Sequence, residues 1–201
     1  MSKELLKNTK FKSKAKSFFK KNSEDILDII LFGSSVRNKE KPNDIDIAII
    51  YKNKSNIETS YELKKEFRKE DFEVQITDLT YFKLIEGSFI ASEGIISDGY
   101  SLVYDKFLSE GLGYMNFYLF RYDLKGLTKS QRMRFYYSLY GRNKEQKGIL
   151  KELKSIKFSD SVLLSPIETS EEMKVYLNSW NLKYIQFPVL IPLRIKSILT
   201  P

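Results

Sequence analysis

Leu31-Phe32-Gly33-Ser34-Ser35-Val36-Arg37, followed after a short spacer by Asn43-Asp44-Ile45-Asp46-Ile47-Ala48-Ile49-Ile50, decides how this chain is read. An apolar segment runs into a Gly-Ser turn, and two carboxylates then alternate with isoleucine at the start of a second apolar segment. Side chains two apart on a strand project to the same face, so Asp44 and Asp46 point together while Ile45, Ile47 and Ile49 fill the other side. Two like charges this close are costly unless a cation neutralises them. The turn supplies the complement. Gly33 lets the backbone approach an anion, and the N–H groups of the following turn, with the Ser34 hydroxyl, can bind phosphate oxygens. Arg37 adds a charge-assisted contact. Either motif alone is ordinary punctuation or a solvated strand start. In this order and spacing they imply a nucleoside triphosphate and a metal held at one edge of a sheet.

The absence of cysteine and histidine narrows the chemistry. It excludes thiol nucleophiles, Ser-His-Asp triads and zinc sites built from imidazole or thiolate. Any metal must be held by oxygen, which favours Mg2+ or Mn2+. With 201 residues, 42% hydrophobic and 30% charged, the chain can form one domain with an appendage or two small domains. No apolar run approaches the roughly 20 residues needed to cross a bilayer, and the lysine-rich N-terminus lacks a secretory apolar core. A cytoplasmic location without membrane association is expected. The net charge of +8 is uneven. From Met1 to Lys21 eight lysines face Glu4 alone, and from Arg121 to Lys157 eleven Lys and Arg face Asp123, Glu145 and Glu152. These runs read either as solvated helix faces or as polyanion-binding surface.

Around the opening stretch the pattern predicts a helix over Lys3 to Lys21 with Leu5, Leu6, Phe11, Ala15, Phe18 and Phe19 as its apolar stripe. A strand over Asp25 to Phe32 follows, then a short helix capped by Ser34 or Ser35. Lys41-Pro42-Asn43 signals a turn, and Asp44 to Tyr51 a strand. A helix over Glu58 to Lys69 and a strand over Phe72 to Leu79 complete this run. Thr80 to Leu108 is mixed, with turns at Glu93-Gly94 and Asp98-Gly99.

With the elements in this order, Phe32-Gly33-Ser34-Ser35-Val36-Arg37 and Asp44-Ile45-Asp46-Ile47 resemble the signature of the DNA-polymerase-β-like nucleotidyltransferase superfamily, and particularly its minimal branch. The resemblance covers roughly residues 22–105. It implies an α/β fold with a small mixed β-sheet flanked by helices. It also implies transfer of a nucleoside monophosphate from a triphosphate to an acceptor with two metal ions, releasing pyrophosphate. Carried onto this chain, Gly33 and Ser34 hold the triphosphate tail, joined by Arg37, and Asp44 and Asp46 bridge the metals.

The family's third carboxylate lies on a neighbouring strand, and here the chain departs. In Glu73-Val74-Gln75-Ile76-Thr77-Asp78-Leu79, the trailing Asp-Leu aligns Gln75 with that position. Glu73, on the same strand face two residues earlier, is the expected catalytic and metal-binding substitute. If Glu73 does not substitute for Gln75, the metal that activates the acceptor is weakly held and nucleotide binds without efficient turnover. Asp78 reads as a strand-end cap. Glu93-Gly94-Ile95-Ile96 resembles the tail of the minimal branch, where a helix leads to a final strand.

The domains expected are residues 1–110, catalytic with a basic N-terminal helix, and residues 111–201, a second small α/β domain for acceptor or nucleic-acid recognition. In the second, after the aromatic run Tyr114 to Tyr122, helices are predicted over Thr128 to Tyr140, Glu145 to Lys154 and Ser170 to Trp180, with strands over Val162 to Ser165 and Lys183 to Ile191. Met133, Tyr136, Tyr137 and Tyr140 fall at helical core spacing, which predicts burial and leaves a basic exterior. Trp180 is also expected in the core. The leading expectation is therefore a metal-dependent nucleotidyltransferase using a nucleoside triphosphate, with RNA, tRNA included, favoured as acceptor over a protein or small molecule. A protein partner or homo-oligomer is compatible with it. The alternatives are a catalytically weakened nucleotide-binding regulatory protein, such as a toxin–antitoxin component, and a nucleic-acid-binding protein whose acidic pair is incidental.

Overall fold

The structure, a computed structural model, describes residues 2–36, 44–142 and 147–199, with side chains from Leu5 onward. The chain divides into two compact units, Met1–Leu112 and Gly113–Pro201. In the first, α1 (Ser2–Lys7), α2 (Thr9–Lys21), β1 (Ile26–Phe32), β2 (Ile45–Tyr51), α3 (Ile57–Arg68) and β3 (Val74–Thr80) follow in order. They are joined by α4 (Tyr81–Glu86), α5 (Ser92–Asp98), β4 (Tyr100–Ser101), β5 (Lys106–Phe107) and α6 (Leu108–Gly111). The sheet order is β3-β2-β1-β4-β5. Only β2 and β3 run parallel, joined across α3, and the other neighbours are antiparallel, which makes the sheet mixed. The unit is α/β, and among the described residues no helix is long and apolar enough to cross a membrane.

Both faces of this sheet are covered, so β1 and β2 read as nearly continuous apolar runs. On one face Ile30, Ala48, Ile50 and Leu79 pack against Leu84 of α4 and Ile95 of α5. Alternation turns Ile29, Leu31, Ile47 and Ile49 to the other face, where all four are fully buried. There α2 and α3 meet, with the Phe11 and Phe67 rings 4.6 Å apart. The single predicted N-terminal helix is two. Asn8 breaks it because its side chain accepts the Phe11 N–H at 3.1 Å and caps a new helix. The expected Glu93-Gly94 turn lies inside α5, which leads into β4. Asp78 is not an end cap: it sits within β3 and accepts the buried Tyr51 hydroxyl at 3.0 Å. The turn predicted at Lys41-Pro42-Asn43 lies outside the described residues.

Asp28 is the acid of β1 turned into this packing, at 6% exposure. Its Oδ1 accepts the Ser101 hydroxyl at 2.8 Å and the Ile29 N–H at 2.7 Å. Burial nonetheless pushes its carboxyl up to about 6, opposed by those two hydrogen bonds and the Lys106 charge. An acid raised in the folded state stabilises the fold least when ionised. The Asp28 contribution to stability therefore falls as pH rises from about 4 to about 6, by on the order of 3 kcal/mol. Asp28→Asn keeps an acceptor for both hydrogen bonds. It is expected to raise Tm near neutral pH and to shift the slope of stability against pH between these values upward, measured by thermal melts across pH; an unchanged slope would refute the assignment.

The second unit contains β6 (Tyr114–Asp123), α7 (Lys129–Tyr140), α8 (Ile149–Glu152), β7 (Ile156–Ser159), β8 (Val162–Pro166), α9 (Ser170–Ser179), β9 (Lys183–Pro192) and α10 (Lys196–Leu199). Its sheet, ordered β7-β8-β6-β9, is antiparallel throughout. The aromatic run is thus its longest shared strand, β6, whose alternation divides two cores. Phe117 packs with Leu164 and Leu199 on one side. Phe120 and Tyr122 are buried on the other, where Phe135 of α7 meets Tyr122 at 5.4 Å, Tyr176 at 5.8 Å and Trp180 at 5.4 Å. Of the helix predicted over Glu145 to Lys154 only α8 forms within the described residues. It stops before Lys154, which takes a left-handed φ of 52°; Glu145 and Gln146 lie outside them.

The buried stripe of α7 is Phe135 and Leu139, not the one predicted. Met133, Tyr136, Tyr137 and Tyr140 are instead exposed, at 50%, 51%, 41% and 40%. Both sets have helical spacing, and the ring cluster around Phe135 decides which one turns inward.

Candidate functional site

Antiparallel pairing of β1 with β2 sets Phe32 opposite Asp46, so the chain leaves β1 beside the acidic doublet. Gly33 to Ser35 then form a single 3-10 turn, closed by the Val36 N–H on the Gly33 carbonyl at 3.3 Å. Gly33 has a φ of +73°, and a Cβ placed on it would stand 2.8 Å from Asp46 Oδ2. Only glycine permits both that backbone angle and that approach. The bend and the doublet therefore converge.

Ser35 holds them together. Its side chain is fully buried and its hydroxyl donates to the Asp44 carbonyl at 3.1 Å, pinning the turn to the entry of β2. The sequence pattern offers Ser35 only as a helix cap; its fixing role depends on a partner nine positions on, which no local signal reveals. Ser34 lies in the middle of the turn, half-buried. Arg37 falls outside the described residues.

Asp44 is exposed and Asp46 half-buried at the start of β2. Asp46 lies on the same face as Ala48 and Ile50, just beyond the apolar cluster under α4 and α5. Burial, and then the neighbouring Asp44 charge, raise the Asp46 carboxyl above its ordinary value. A cation between the two carboxylates would relieve both effects.

The third position is set by the parallel register, in which Asp46 pairs with Gln75. Gln75 is exposed on the same sheet face and offers an amide oxygen. Glu73 precedes β3, and both its oxygens accept from Arg68, at 3.1 Å from Nε and 3.3 Å from Nη2. The structure thus brings together Gly33, Ser34, Asp44, Asp46 and Gln75, and shows Glu73 engaged elsewhere. Among the described residues no three His, Cys, Asp or Glu side chains cluster for a metal. Two carboxylates and an amide, all oxygen, still fit Mg2+ or Mn2+. Mg2+ commonly takes one or two protein carboxylates and completes its shell with substrate phosphates and water.

Residues 13–97 match the family model described as Polymerase beta, Nucleotidyltransferase. The match spans the bend, the doublet and β3. No curated protein matches the chain. Among solved structures, a chain from a crystal structure of a mutant MntA–HpeT toxin–antitoxin pair is similar at 22% identity with a TM-score of 0.37, over 45% of this chain and 71% of that one.

Proposed function

We propose, from the nucleotidyltransferase domain matched at residues 13–97, that this chain moves a nucleoside monophosphate from a triphosphate to an acceptor at the site formed by Gly33, Ser34, Asp44 and Asp46. The observation that carries this reading is the close approach of Gly33 to Asp46 Oδ2, which sets an anion-binding bend against a cation-seeking carboxylate. The N–H groups of the turn and the Ser34 hydroxyl bind the triphosphate tail, and Arg37 is assigned to the same role. Asp44 and Asp46, with Gln75 or Glu73, hold Mg2+ or Mn2+. When bound, such ions neutralise charge on the phosphates and align an in-line displacement. The acceptor oxygen bonds to the α-phosphorus as the α–β bridge breaks, and pyrophosphate leaves. The net charge of +8 supports RNA as the acceptor; a protein partner is the other acceptor class.

The test is incubation with α-labelled triphosphates, Mg2+ or Mn2+, and total RNA or cell extract. Label on RNA is the expected result. Label on protein would change the acceptor but keep the reaction. Nucleotide binding without label on anything would overturn transfer in favour of a regulatory nucleotide-binding protein, a reading that the amide at Gln75 supports.

The third ligand has its own expected outcome. The Asp46–Gln75 register favours Gln75, so Gln75→Glu should tighten Mn2+ binding and raise transfer several-fold. Glu73→Gln should leave transfer within about twofold, because its carboxylate serves an exposed pair with Arg68. Metal titrations and initial rates on the two variants measure this. Loss of transfer in Glu73→Gln would instead establish Glu73 as the ligand.

A further inference from the structure

The α7 helix presents to solvent what the core did not take. Its twelve residues include Lys129, Arg132 and Arg134 and no acid, and only Phe135 and Leu139 are buried. The remaining aromatics form a connected surface. The Tyr136 and Tyr140 rings lie 4.6 Å apart, and Tyr137 stands 6.2 Å from Tyr136. Each flank carries a cation: Arg142 lies 5.8 Å from the Tyr137 ring centre and Lys157 5.9 Å from that of Tyr140. Beside them is an open groove of about 470 Å³ walled by Lys129 and Arg132, within the size range of ligand clefts. Among the described residues its one acidic lining residue, Asp160, is paired with Lys157 at 2.8 Å.

Exposed aromatic clusters mark interaction surfaces, and the charge around this one identifies the partner. Protein interfaces also favour tyrosine and arginine but deplete lysine at their centres; here Lys129 lines the groove beside Arg132, neither paired with an acid among the described residues, and such rings flanked by cations match bases alternating with phosphates. Stacking needs bases free of a duplex, as RNA loops and ends present them. We propose that this face of α7 binds single-stranded RNA, stacking bases on Tyr136, Tyr137 and Tyr140 and pairing phosphates with Lys129 and Arg132. The surface adds an RNA-binding function to the transfer reading but stands on different residues.

Fluorescence anisotropy of a short labelled oligouridylate with the full chain, without triphosphate or divalent cation, tests it independently of transfer. Wild type should bind oligouridylate more tightly than duplex RNA of equal length and no less tightly than oligothymidylate. Tyr136→Ala with Tyr140→Ala should weaken binding by about tenfold or more, and Tyr136→Phe with Tyr140→Phe should keep it within about twofold. Lys129→Gln with Arg132→Gln should flatten the dependence of log affinity on log salt by about 0.7 for each phosphate left without its cation. Circular dichroism should show the same fold in all variants; if the alanine pair alone unfolds, the phenylalanine and glutamine pairs decide. Absent binding, equal binding of the duplex, tighter binding of oligothymidylate, or affinity indifferent to both the tyrosine and the basic changes would overturn it. Any of these results would leave a protein partner or DNA as the occupant.

Discussion

Asp44→Asn combined with Asp46→Asn is expected to lower nucleotidyl transfer by at least about 10³-fold while leaving the chain folded. The site lacks a third clustered carboxylate among the described residues, so these two side chains supply all of its certain negative charge. Neutral amides in their place remove both the cation site and the alignment of the phosphates. Thermal stability should hold or rise. Asp46 sits half-buried beside a like charge, both of which disfavour its ionised form, and asparagine removes that penalty without changing shape. Rates with labelled triphosphate and melting curves on the same preparation read the two effects together. Loss of transfer through unfolding would count against a catalytic role, and so would transfer that survives in a folded double variant.

Gly33→Ala should produce the next largest effect by a different route. An alanine at a φ of +73° carries about 1–2 kcal/mol of backbone strain. Its Cβ would also meet Asp46 Oδ2 at 2.8 Å, closer than side chains pack, so either the bend or the carboxylate must shift. Displacement on the order of 1 Å in such a site costs about 10²-fold in rate. The expected variant is folded, modestly less stable and strongly impaired in transfer, with the loss in kcat as well as KM. Asp46→Asn in the Gly33→Ala background should add little, because both changes disable one arrangement. Additive losses would show that Gly33 and Asp46 act separately.

Those two residues were legible together because each motif carries a local signature, and their spacing matches the resemblance that the match over residues 13–97 bears out. The strands β1, β2 and β3 and the helix α3 were legible too. Apolar runs mark the first two, and the amphipathic spacing of Leu63 and Phe67, both buried, marks α3. What escaped depends on long-range partners. The trailing Asp-Leu already aligns Gln75, and the register sets it beside Asp46; what spacing does not reveal is that Arg68 holds both oxygens of Glu73, the expected substitute. The break at Asn8 was hidden because the apolar stripe continues through it. In α7, Met133, Tyr136, Tyr137 and Tyr140 compete with Phe135 and Leu139 for the core, and periodicity reveals faces without saying which one meets Tyr122, Tyr176 and Trp180. Strand β6 has no polar–apolar alternation to mark it, because Met115, Phe117 and Leu119 on one face and Tyr118, Phe120 and Tyr122 on the other are all apolar or aromatic.

The claim on which the rest depends is that the Gly33-Ser34 bend and the Asp44–Asp46 pair act as one receptor for a metal-bound triphosphate. Calorimetric titration with α,β-methylene analogues of ATP, GTP, CTP and UTP, in the presence and absence of Mn2+, measures it most directly because the α–β bridge cannot be cleaved. At least one analogue should bind only with Mn2+ present, and that binding should vanish in the folded Asp44→Asn, Asp46→Asn variant. Equal affinity without Mn2+, or undiminished affinity in that variant, would contradict the account.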